Sequence, residues 1–74
     1  MMYLDQLMPG QKSVYISCRN DALTTRLMTL GLKDGAVIEM VRKSPLGDSC
    51  YIKSGNSRVA LRKNEAAAII IEPA

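Results

Sequence analysis

Residues 26–40, Arg-Leu-Met-Thr-Leu-Gly-Leu-Lys-Asp-Gly-Ala-Val-Ile-Glu-Met, hold the end of a helix, a stop, a turn and the start of a strand. Leu23, Leu27 and Leu30 fall at i, i+4 and i+7, one face of an α-helix, and predict a single buried stripe. Asn20-Asp21 sits where a short side-chain oxygen can cap a first-turn amide, and its acidic charge suits the positive end of the helix dipole. Gly31 occupies the position of a left-handed C′ residue, and Leu32 at C″ can fold back onto Leu27, the contact of a Schellman stop. Lys33-Asp34-Gly35 then turns the chain. Ala36 to Lys43 alternates Val37, Glu39 and Val41 against Ala36, Ile38 and Met40, the period of a strand.

Working outward, Leu4 to Met8 is a short apolar lead-in closed by Pro9-Gly10, a pair suited to the centre of a type II turn. Ser13 to Cys18 follows as a strand, with Val14, Ile16 and Cys18 on one face and Ser13, Tyr15 and Ser17 on the other. On the C-terminal side, Ser44-Pro45-Leu46-Gly47-Asp48-Ser49 is a loop by composition. Strands Cys50–Lys53 and Arg58–Leu61 flank Ser54-Gly55-Asn56-Ser57, where Gly55-Asn56 fits a two-residue type II′ hairpin. Asn64 to Ala68 reads as one helical turn capped by Asn64, and Ile69-Ile70-Ile71 as a closing strand covered on both sides. Five short strands cannot all bury a face in a flat sheet. The economical arrangement is a mainly β, strongly bent Src-homology-3 (SH3)-like barrel with one inserted helix and a helical turn before the last strand.

The chain has 74 residues, enough for one domain and too few for two, since domains usually hold about 50 residues or more. A core of this size seldom leaves more than about 3–5 kcal/mol of net stability, so a functional complex would be unsurprising. There is no signal-peptide pattern, and the longest apolar run, Ala66 to Ile71, is far below the roughly 20 residues that span a bilayer. These features predict a soluble cytoplasmic protein with reduced thiols. The net charge of +3 comes from ten Lys and Arg against seven Asp and Glu. The cations are dispersed, and three tyrosines with no tryptophan or phenylalanine supply too little stacking surface for a nucleic-acid groove. The same shortage counts against a groove for proline-rich peptides.

The chemistry that would make an enzyme is missing. No glycine-rich phosphate loop occurs, and with no histidine the common nucleophile–base triads cannot be built. Asp5, Asp21, Asp34, Glu39, Asp48, Glu65 and Glu72 are spread along the chain with no suggestive pair. Cys18 and Cys50 lack the spacing of a zinc site and read as small buried strand residues; a shared transition-metal site would need further ligands. The residues therefore point to a binding or regulatory module without catalysis or cofactor.

Four segments in order carry a resemblance: Leu4-x-x-Leu7-x-Pro9-Gly10, Arg26-Leu27-x-x-Leu30-Gly31-Leu32-x-x-Gly35, Pro45-Leu46-Gly47-Asp48, and Ala60-Leu61-Arg62-x-x-Glu65-Ala66. Together they resemble the FeoA domain of bacterial ferrous iron transport across nearly the whole chain. The resemblance implies an SH3-like barrel, a cytosolic location, and docking on the cytosolic GTP-binding part of the membrane permease FeoB in support of Fe(II) uptake. It does not imply that the chain itself carries iron. Family members commonly have proline where this chain has Ser49, and serine restores a backbone donor there. A related barrel forms the C-terminal domain of iron-dependent repressors, which makes a metal-responsive regulatory domain, or a nucleic-acid-associated barrel, the alternative.

The candidate contact residues are Arg26, Pro45, Leu46, Gly47, Asp48 and Arg62. Arg26 in the last helical turn can bond the free carbonyls there or offer its planar fork to a partner's carboxylate or phosphate. Leu46, held between proline and glycine on a solvent-facing loop, is a plausible apolar anchor. Arg62 has Glu65 three residues on as its default partner, or else faces FeoB. Pro9, Gly10, Leu23, Leu27, Leu30, Gly31, Leu32, Gly35, Gly55 and Asn56 read as structural.

Overall fold

The computed structural model describes residues 1–74. Its elements are β1 (Met2–Tyr3), a 3₁₀ turn (Leu4–Gln6), β2 (Lys12–Cys18), α1 (Asp21–Thr29), β3 (Val37–Lys43), β4 (Ser49–Ser54), β5 (Ser57–Arg62), α2 (Lys63–Ala66) and β6 (Ile69–Pro73). All strand pairs are antiparallel, in the order β1-β6-β2-β3-β4-β5. The short α2 packs on β4, β5 and the 3₁₀ turn, linking the β5 end of the sheet to the turn that follows β1. Fifteen buried apolar side chains form that core, from Leu4 and Leu7 at one end of the chain to Ile69 and Ile71 at the other.

The helix and its stop form as the sequence predicts. Asn20 Oδ1 accepts from the Leu23 amide at 3.0 Å. At the other end the Leu32 amide donates to the Leu27 carbonyl at 2.9 Å and the Gly31 amide to Met28 at 3.0 Å, the bond pair of a Schellman motif. Gly31 has φ +89° with open space where a Cβ would point, so glycine is needed for backbone conformation and not for room. The Pro9-Gly10 turn closes through Gln11 N–H to the Met8 carbonyl at 3.0 Å. The β4–β5 hairpin turns at Gly55-Asn56 with Ser54 opposite Ser57.

Four expectations are corrected. Six strands form instead of five, because Met2 and Tyr3 pair with Ile71 and Ile70; two residues carry no readable period. Leu30 is 37% exposed, since the helix ends at Thr29 and Leu30 is its C-cap, turned off the stripe; Leu32, at 1%, takes the core position instead. Strict alternation along β2 fails at a bulge between Tyr15 and Ser17. The extra residue, Ile16, resets the pleat, so Ser13 and Tyr15 face the core and Cys18, opposite Ile69, packs against it. Finally, α2 begins at Lys63 with Arg62 as its N-cap, not at Asn64, because Glu65 reaches back to accept the Arg62 amide at 2.9 Å.

Candidate functional site

The loop between β3 and β4 is built by its own polar groups. Gly47 N–H donates to the Ser44 carbonyl at 3.0 Å, and Ser44 N–H donates to the Ser49 carbonyl at 3.0 Å. The Ser44 hydroxyl donates to Asp48 Oδ1 and accepts from the Asp48 amide. The loop is also tied to the start of α2, where Lys63 N–H donates to the Asp48 carbonyl at 2.9 Å. Pro45, Leu46, Gly47 and Asp48 are all exposed. Leu46, at 88% exposure, is an apolar side chain lifted into solvent by a braced turn.

Arg62 ends β5 opposite Ser49, which puts it at the root of this loop. Its expected side-chain partner is taken by another residue: Glu65 Oε2 faces Arg26 Nη1 at 3.4 Å. Arg26 therefore ties α1 to α2 across the fold, with half of its side chain still exposed. Glu65 spends one oxygen on Arg26 and the other on the Arg62 amide, so the Arg62 guanidinium is left without a carboxylate. Arg26, Arg62, Ser49 and Ala60 line one open groove of about 500 Å³. Of the six candidates, Arg26 and Arg62 share this groove, which reaches Ser49 at the root of the loop that carries Pro45, Leu46, Gly47 and Asp48.

More cations gather there than the candidates suggested. A second bulge, between Met40 and Arg42, turns Arg42 outward, where its guanidinium lies 5.4 Å from the Tyr51 ring centre. Lys43 then points inward, its Nζ donating to the Asp5 carbonyl at 2.7 Å. Tyr51 lies opposite Ala60 and Lys53 opposite Arg58, so β4 and β5 present Tyr51, Lys53, Arg58, Ala60 and Arg62 on one face. The molecule's two ion pairs are Arg26–Glu65 and Lys53–Glu39. Arg42, Arg58, Arg62 and Lys63 are accordingly unpaired. Dispersed in sequence, Arg58 and Arg62 converge because alternate positions of β5 share a face, Arg42 joins them from β3 opposite Tyr51, and Lys63 follows Arg62 at the start of α2.

Both cysteines are free, Cys50 buried and Cys18 partly so. No group of three or more His, Cys, Asp or Glu side chains comes together. Burial pushes the Cys50 thiol up, opposed by Lys43 and reinforced by Asp5 and Glu65, which makes it a poor thiolate and a poor nucleophile at neutral pH. No helix is long and apolar enough to cross a membrane.

These features define a small SH3-like domain with an exposed apolar loop and a cationic face. The chain belongs to the FeoA family, whose FeoA domain model matches residues 2–73. It is similar to the FeoA protein from Chlorobium tepidum, at 33% identity and TM-score 0.91 over 97% of this chain and 70% of that one. It is also similar to the FeoA of Stenotrophomonas maltophilia solved with zinc and described as a prokaryotic SH3 domain protein, at 32% identity and TM-score 0.83 over 97% and 91%. ScaR with bound Cd²⁺ shares the fold alone, at 18% identity and TM-score 0.82 over 97% of this chain and 35% of that one. Comparison with curated proteins finds no match.

Proposed function

We propose that this protein is a cytoplasmic accessory factor of ferrous iron uptake that docks on the cytosolic GTP-binding part of a FeoB-like permease, with no chemistry of its own. Family membership supplies the transport context. The observation that carries the docking reading is Leu46, 88% exposed on a hydrogen-bonded loop whose root, Ser49, lies opposite the unpaired Arg62. An exposed leucine gains little by staying in water and much by entering a partner's pocket, and the surrounding cations would steer an acidic surface toward it. Fe(II) is the cargo of the permease, and the protein reaches the membrane only through its partner.

Titration of the protein with the FeoB cytosolic region, with and without guanine nucleotide, tests this reading. Saturable binding is expected. Absence of binding at high micromolar concentration in both conditions overturns it, and a salt-sensitive electrophoretic shift with DNA would favour a regulatory nucleic-acid role instead.

A further inference from the structure

β5 is the last strand of the sheet and pairs only with β4. A two-residue hairpin closes on a hydrogen-bonded pair, here Ser54 and Ser57, and bonded and non-bonded pairs then alternate along the ladder. Val59 and Leu61 consequently bond to β4, while the N–H and C=O groups of Arg58, Ala60 and Arg62 point away from it. The Arg62 amide confirms that parity, since it donates to the Glu65 carboxylate instead of to β4. The Ser57 hydroxyl donates to the Leu30 carbonyl at 2.6 Å, which pins the end of α1 beside the start of β5. Toward Ala60 and Arg62 the space between them opens into the groove that Arg26 also lines. Ala60 thus sits on an unsatisfied strand edge, with an unpaired arginine on each side of it.

We propose that the free edge of β5 accepts an acidic, extended peptide segment as an added strand, bonded to the Ala60 backbone and held by carboxylates on Arg58 and Arg62. Added strands take affinity from main-chain bonds and specificity from alternate side chains. Arg58 and Arg62 lie one and five residues along from the Ser57 hairpin closure, each two residues from Ala60 and on the same face, so acidic residues at alternate positions of the segment meet them in register. The same arginines disfavour a second copy of the chain, because pairing β5 with β5 would bring four like charges together along one short edge. The inference concerns the β5 edge, shares only Arg62 with the docking reading, and stands whether or not the permease is the partner.

The test is an NMR titration of the intact protein with a synthetic peptide of alternating glutamate and valine, with alternating lysine and valine as the control. The glutamate peptide is expected to shift the Arg58 and Ala60 amides and slow their hydrogen exchange, and the lysine peptide to do neither. Arg58→Glu with Arg62→Glu should weaken binding about tenfold or more, reflecting lost charge complementarity. Ala60→Pro removes only an outward donor, and should abolish protection at the edge while both arginines remain. Three results overturn the proposal: no change at β5 with saturating glutamate peptide, full binding by a folded Ala60→Pro protein, or edge protection without peptide that grows with protein concentration, which means self-pairing.

Discussion

Cys50 shows how one buried group makes the stability of the fold depend on pH. Its thiol titrates above the ordinary value, first because burial disfavours the thiolate, with Lys43 pulling the other way and Asp5 and Glu65 adding to the rise. Tyr15 is raised in the same sense, by burial and then by Cys18 and Asp34. The folded state therefore keeps these protons to higher pH than the unfolded chain does. Stability from both groups is fully present below their unfolded values and is lost as pH rises through the folded ones. Thermal unfolding in reducing buffer should show a midpoint that falls above about pH 8.5, the thiol first and the phenol beyond about pH 10. Cys50→Ala should flatten the first part of that slope; an unchanged slope would show that the thiol is not responsible. At this scale the sequence was uneven in what it disclosed. Gly31 was legible because only a left-handed residue lets Leu32 return to Leu27. The inward turn of Ser13 and Tyr15 was not, because a bulge depends on which strand lies opposite.

At the scale of elements, α1 and α2 are joined by a pair that neither helix encodes alone. Leu27 is fully buried and Leu30 is 37% exposed, so the two leucines of one sequence stripe should separate in a denaturation experiment. Leu27→Ala should cost about 2–5 kcal/mol, and Leu30→Ala less than about 1 kcal/mol, the range of a surface substitution; equal losses would place Leu30 in the core. Glu65 allows a similar dissection. Glu65→Gln keeps an oxygen for the Arg62 amide and loses the half-exposed pair with Arg26, a cost of about 0.2–1 kcal/mol that salt should reduce. Glu65→Ala also orphans the Arg62 amide at the N-cap of α2, a further loss of roughly 1 kcal/mol. Circular dichroism with urea melts at two salt concentrations would read both. A local i, i+3 pairing of Arg62 with Glu65 was the natural reading of the sequence, yet α1 comes close enough to supply Arg26 instead.

For the whole molecule, the consequence is a division of surfaces. The core draws on both ends of the chain, with Leu4 and Ile71 equally inaccessible, so truncation at either terminus would open it. The β3–β4 loop and the cations of β4 and β5 make no contribution to that core. Leu46→Asp should therefore leave the unfolding midpoint within about 0.5 kcal/mol of the parent, as surface changes away from special features do. It should weaken docking on the permease by about 2 kcal/mol or more if Leu46 is the anchor. Isothermal titration beside a thermal melt separates the two effects. Intact affinity would move the docking surface away from the loop.

The sequence by itself determined the helix and its glycine stop, the turns at Pro9-Gly10 and Gly55-Asn56, the bent antiparallel barrel and the family. Those features rest on local rules of period, capping and backbone freedom, each complete within a few neighbouring residues. Only the tertiary structure decided that Arg26 belongs to Glu65, that Arg42 turns outward over Tyr51 while Lys43 turns inward, and that Arg58 and Arg62 flank a bare strand edge. Each of those follows from which distant strand or helix lies alongside, and cross-chain proximity leaves no period in the sequence from which it could be read.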